Sequence, residues 1–77
     1  MSLVEQMEKA VGHAVRIVDI DGKLWEGLVS GFTTDLDNEE DDAPGYFSID
    51  IDIEKGSKTV CYEIRENEIK SIEVMER

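Results

Sequence analysis

The sequence predicts a mainly β fold: one small, strongly bent antiparallel barrel of five strands behind a short N-terminal helix. Three observations carry this reading. The hydrophobic period changes from helical to alternating after Gly12, five short Val- and Ile-rich runs follow between turn residues, and the longest run contains Gly27 and Gly31. Glycines inside a strand mark bends, bulges or close approach of another backbone, so they predict sharp curvature. At 77 residues there is room for one domain over 1–77; a chain this short buries only about 60% of the surface its unfolded form exposes.

Each element has a local cause. Ser2-Leu3-Val4-Glu5 has the form of a capping box, and Leu3, Met7, Ala10 and Val11 then recur at helical spacing. This predicts a helix over about 2–12, ended by Gly12 at positive φ. The barrel should occupy about 14–75. Ala14 to Ile20 forms its first strand, and Asp21-Gly22 is a two-residue hairpin signal because both turn positions tolerate positive φ. A second strand runs from Lys23 to about Thr33. The segment 34–44 is read as a solvated acidic loop. Phe47, Ile49, Ile51 and Ile53 then alternate with Ser48, Asp50 and Asp52, the pattern of a strand with one wet face. After the turn at Glu54 to Lys58, Val60, Tyr62 and Ile64 mark a fourth strand. A break at Arg65 to Asn67 precedes a fifth carrying Ile69, Ile72 and Val74. Bending such a sheet onto itself hides the inward side chains and reduces exposed edges.

Charge narrows the functional classes. Nineteen Asp and Glu stand against 8 Lys and Arg, a formal net charge of −11. A field of that sign repels phosphate backbones, so DNA is excluded as a partner and RNA starts as a disfavoured one. No apolar run reaches the 18 or so residues of a spanning helix, and no basic region followed by an apolar stretch opens the chain. A soluble, cytoplasmic protein with no membrane partner is expected. Cys61 is the only cysteine, which rules out an intramolecular disulfide and agrees with a reducing compartment; it is expected to be a small packing residue.

The stretch Gly22-x4-Gly27-x-Val29-x-Gly31-Phe32, preceded by Asp21 and the apolar strand at Val15 and Ile17, resembles the first signature of the Sm-like (LSm) proteins. The stretch from Ile64-Arg65 to Ile72 is similar to the second, with Glu66 where glycine is expected. With the helix, the likeness spans nearly the whole chain. It implies the family's small SH3-type barrel and a homo-oligomeric ring, a hexamer or heptamer, built by pairing the fourth strand of one subunit with the fifth of the next. Val60, Tyr62, Ile64, Ile69 and Ile72 lie on those strands and are the expected interface.

The same resemblance implies an RNA pocket, at Asp35, Asp37 and Arg65 of this chain. The pocket's chemistry is altered. Where the family's RNA-binding members have Asp after the Phe32 position, then a stacking side chain, then Asn, this chain has Thr33, Asp35 and Asp37. A carboxylate cannot replace base stacking, which contributes roughly 1–3 kcal/mol per base, nor donate a hydrogen bond. Arg65 alone keeps the family's residue type, with Glu66 and Glu68 beside it.

The remaining chemical candidates are few. Asp35, Asp37, Glu39 and Asp41 are oxygen ligands suited to a hard divalent cation, but their run lacks the central turn glycine and distant bidentate Glu of a calcium-binding loop, so solvation of the loop is the favoured reading. His13 is the only histidine, and Ser30, Ser48, Ser57 and Cys61 have no other imidazole to activate them. Asp50 and Asp52 read as the wet side of a strand. No phosphate-cradling glycine loop, cofactor motif or metal set is present. The expectation is therefore a non-enzymatic, ring-forming binding or scaffold protein that engages a protein or other basic ligand; the alternative is an RNA-binding ring acting through Arg65 in RNA metabolism.

Overall fold

A computed structural model of the chain describes residues 2–34 and 45–75. Its elements are α1 (Leu3–Lys9), β1 (Ala14–Asp19), β2 (Leu24–Thr33), β3 (Ser48–Lys55), β4 (Lys58–Arg65), a single 3-10 turn η1 (Glu66–Glu68) and β5 (Ile69–Val74). The fold is mainly β, one helix and one five-stranded antiparallel sheet in the order β4-β3-β2-β1-β5.

The capping box forms as expected. Glu5 donates its backbone N–H to Ser2 Oγ at 3.2 Å, and Ser2 donates its own to Glu5 Oε1 at 3.5 Å. The helix ends earlier than its apolar spacing predicts. Val11 donates to the Glu8 carbonyl and His13 to the Ala10 carbonyl, a tightened last turn, while Gly12 donates out of the helix to the Val29 carbonyl at 2.8 Å. Val11 thereby leaves the helical face and is 41% exposed, whereas Met7 and Ala10 are fully buried.

The first hairpin is a correction to the two-residue turn. Only glycines adopt positive φ among the described residues, so Asp21 cannot take the turn that Asp-Gly would favour. Instead Gly22 donates to the Asp19 carbonyl and Asp19 to the Lys23 carbonyl, giving a three-residue loop with Gly22 alone at φ 83°. The Asp19 side chain accounts for the change: its Oδ1 accepts the backbone N–H of Asp21 at 2.9 Å and of Lys23 at 2.8 Å, holding the loop from inside. The β3–β4 connection is the tight one, with Lys55 opposite Lys58 and only Gly56 and Ser57 between.

Curvature enters through β2. Its N-terminal half pairs with β1 and its C-terminal half with β3, with a register shift between Val29 and Gly31. A Cβ placed on Gly27 would collide with the Asp52 backbone carbonyl, so only glycine permits β3 to cross β2 there.

The β4–β5 connection sets the overall bend. These strands lie at opposite ends of the sheet, yet only η1 separates them. Five flat strands about 4.8 Å apart would put their ends roughly 19 Å from each other. Four extended residue steps reach at most about 14 Å, and a 3-10 turn less. The sheet must curl. Its two ends are drawn together around η1, where Glu66 donates to the Phe47 carbonyl at 2.9 Å and the Glu68 carbonyl accepts from Ile20 at 3.0 Å. Closure is nevertheless incomplete: no ladder joins β4 to β5 among the described residues, and the sheet is an open curl rather than the closed barrel expected.

Inside the curl sit Val15, Ile17, Val29, Ile49, Ile51, Ile64 and Ile69, with Met7 of α1 and its C-cap Ala10 pressed against them. Trp25, Phe32, Phe47, Ile53, Tyr62 and Ile72 pack around this centre.

Candidate functional site

Two ends of the sheet and one outer face carry the candidate chemistry. The period-2 rule decides which side chains face out. On β4, Val60, Tyr62 and Ile64 stand opposite Ile53, Ile51 and Ile49 and take the inner face. Ile64 and Ile69 are 4% and 6% exposed, and Tyr62 and Ile72 pack on the core. These are the residues expected at an oligomer interface, and Ile64 and Ile69 are already buried within their own chain. What β4 and β5 offer a neighbour is the backbone of their outer edges: each is an end strand, paired on one side only among the described residues.

The same alternation sends Cys61 outward, which corrects its expected burial: it is exposed, because its neighbours Val60 and Tyr62 hold the core phase. It faces Asp52 across the ladder. A hydrogen bond to Asp52 is the main cause that pushes the thiol pKa up, with desolvation and the charges of Asp52 and Asp50 acting in the same direction. A thiol so placed is a poor nucleophile. Around it runs a carboxylate face. Asp50 stands directly opposite Glu63, and Ser30 Oγ donates weakly to Asp52 Oδ1 at 3.4 Å. Ser48 is fully buried and donates its hydroxyl to Glu63 Oε2 at 3.3 Å.

The register aligns Thr33, Ser48 and Arg65 on adjacent strands at the end of the sheet where the 34–44 segment begins and returns. Asp35, Asp37, Glu39 and Asp41 lie outside the described residues. Arg65 is exposed and its guanidinium lies over the Tyr46 ring, 4.2 Å from the centroid. One neighbouring acid is committed elsewhere: Glu68 Oε1 accepts the Arg65 backbone N–H at 3.2 Å. Phe32 and Phe47 stack nearby in sequence with centroids 6.0 Å apart.

A second aromatic group lies towards the hairpin end. Trp25 and Tyr62 meet edge to face at 5.2 Å, Lys23 Nζ lies 4.3 Å from the Trp25 ring centre and Lys55 Nζ 5.3 Å from that of Tyr62. The Trp25 indole donates to Asp19 Oδ2 at 3.0 Å. That bond is the largest cause holding the Asp19 carboxyl below its usual range; desolvation opposes it, and the backbone N–H groups of Lys23 and Asp21 and the Lys23 charge add to it. The Asp19–Trp25, Trp25–Tyr62 and Lys55–Tyr62 contacts join residues from different strands, and no motif in the sequence marks them.

Among the described residues no group of three or more His, Cys, Asp and Glu side chains is arranged to hold a metal ion. No described helix is long and apolar enough to cross a membrane. No protein-family model matches the chain, and no curated protein or solved structure matches it either.

Proposed function

We propose that this chain is a non-enzymatic binding or scaffold protein of Sm-like architecture, which joins copies of itself through β4 and β5 and presents its acidic outer face to a basic protein segment. One observation carries the reading: among the described residues the order β4-β3-β2-β1-β5 leaves two unpaired strand edges at the ends of a curled sheet. Such edges are ready templates for strand addition. Because the two edges differ, each pairs head to tail with the other, and repetition of that contact closes into a ring or continues as a filament. The carboxylates of Asp50, Asp52 and Glu63, with a net charge of −11, favour a positively charged partner.

Light scattering on the purified chain tests the assembly. The expected mass is several times 8.7 kDa, with slowed amide exchange along β4 and β5 relative to a dilute sample. A strictly monomeric species at high concentration overturns it.

A second reading rests on the Arg65–Tyr46 pair: an exposed guanidinium stacked on an aromatic ring can take a phosphate on its edge and a base on the ring. Anisotropy titrations with oligo(U) and oligo(A) at low salt separate the two. Micromolar or tighter binding abolished by Arg65→Ala favours RNA; absence of binding favours the acidic scaffold.

A further inference from the structure

Beyond Leu28 and Asp52 the ladder between β2 and β3 stops, where β3 crosses β2 at Gly27. Among the described residues β2 continues back through Gly27 and Glu26 paired only to β1, while β3 continues through Ile53 and Glu54 paired only to β4. The fork between them is a groove of about 380 Å³. Its apolar lining comes from Ala14, Leu28, Ile53 and Met75, and its acidic groups are Glu26, Asp52 and Glu54. Leu28, though hydrophobic, is 46% exposed there.

We propose that this fork is the docking site for an extended, lysine- or arginine-bearing segment of a partner protein. The inference rests on the basic-partner reading above and gives it a location. Among the described residues each wall of the fork is a strand with no ladder partner on that side, so an extended segment can lie along it. Lysine and arginine fit the lining because their methylene stems lie on apolar surface while the charged head reaches a carboxylate. Glu26 is shared with Arg16 of the same chain at 3.3 Å, both about half exposed, and Asp52 accepts weakly from Ser30. Glu54 is thus the rim carboxylate whose replacement disturbs the chain's own contacts least. An acidic segment is a poor occupant beside Glu26, Asp52 and Glu54, and a phosphate polymer is repelled.

The test is a titration of the full chain, at low salt, with a fluorescein-labelled hexapeptide of alternating lysine and valine, and with the same peptide carrying glutamate for lysine as the control. The lysine peptide should bind and the glutamate peptide should not. Glu54→Lys and Leu28→Arg, both at exposed positions, should each weaken binding by about tenfold, while Glu8→Lys, the same change of charge on α1, should change it by less than about twofold. On the unmodified chain, bound peptide should shift the amide resonances of Gly27, Leu28, Ile53 and Glu54. Equal weakening by Glu8→Lys, or shifts confined to the outer edge of β4, removes the fork as the site and leaves the basic-partner reading standing. No binding of the lysine peptide to the unmodified chain overturns both.

Discussion

Asp19 shows how one side chain can choose between two backbone geometries. Its carboxylate accepts from Asp21 and Lys23 on one oxygen and from the Trp25 indole on the other, so it fixes both the loop and the aromatic ring that follows. Asp19→Asn keeps the size but turns one acceptor oxygen into a donor, leaving at least one of those N–H groups without its partner. Because the folded carboxyl titrates below its ordinary value of 3.8, its contribution is complete above that value and disappears as the pH falls through the lower, folded one. The urea midpoint of the unsubstituted chain should therefore exceed that of Asp19→Asn at neutral pH, and the gap should shrink on acidification below about pH 4. A pH-independent gap would mean the charge is not the source. None of this was legible from the Asp-Gly pair, which points to the turn but not to the residue that shapes it.

At the level of elements, the two glycines of β2 do different work. An alanine at Gly27 would drive its Cβ into the Asp52 carbonyl, a backbone atom that cannot swing away, whereas at Gly31 it meets Asp50 Oδ2 at 3.2 Å, the tip of a flexible side chain. Gly27→Ala should cost about 1–3 kcal/mol and Gly31→Ala less than about 1 kcal/mol, both read from chemical denaturation with the slope checked for two-state behaviour. Strand existence was well encoded, because alternation in Ile49, Ile51 and Ile53 or Val60, Tyr62 and Ile64 leaves no other face to bury. The end of α1 was not, since it is set by the long-range bond from Gly12 to Val29. The fork between β2 and β3 was equally invisible, because it depends on where a ladder stops rather than on which residues occupy it. Asp35 and Asp37, prominent in the sequence, lie outside the described residues; the site argued from structure uses Leu28 and Glu54, which no motif marks.

For the whole molecule, like charges set the balance. Asp50 faces Glu63 directly, and a net charge of −11 surrounds a core of modest size. Direct like-charge pairs cost about 0.2–1 kcal/mol each, and salt screens them over about 10 Å at 0.1 M. Stability should rise with sodium chloride, by about 0.5–1 kcal/mol between low and physiological ionic strength, in thermal or urea unfolding; a fall would mean that attractive pairs such as Arg16–Glu26 outweigh the repulsion. The joining of β5 to β1 also governs time. Val15 meets Val74 and Ile17 meets Ile72, contacts between segments far apart along the chain. No local hairpin can prepay that closure, so folding is expected on the millisecond-to-second scale of non-local β topologies. Until β5 docks, the flank of β1 lies open and β5 itself is unpaired, and the nascent chain passes through an interval in which it is stickier than the finished protein.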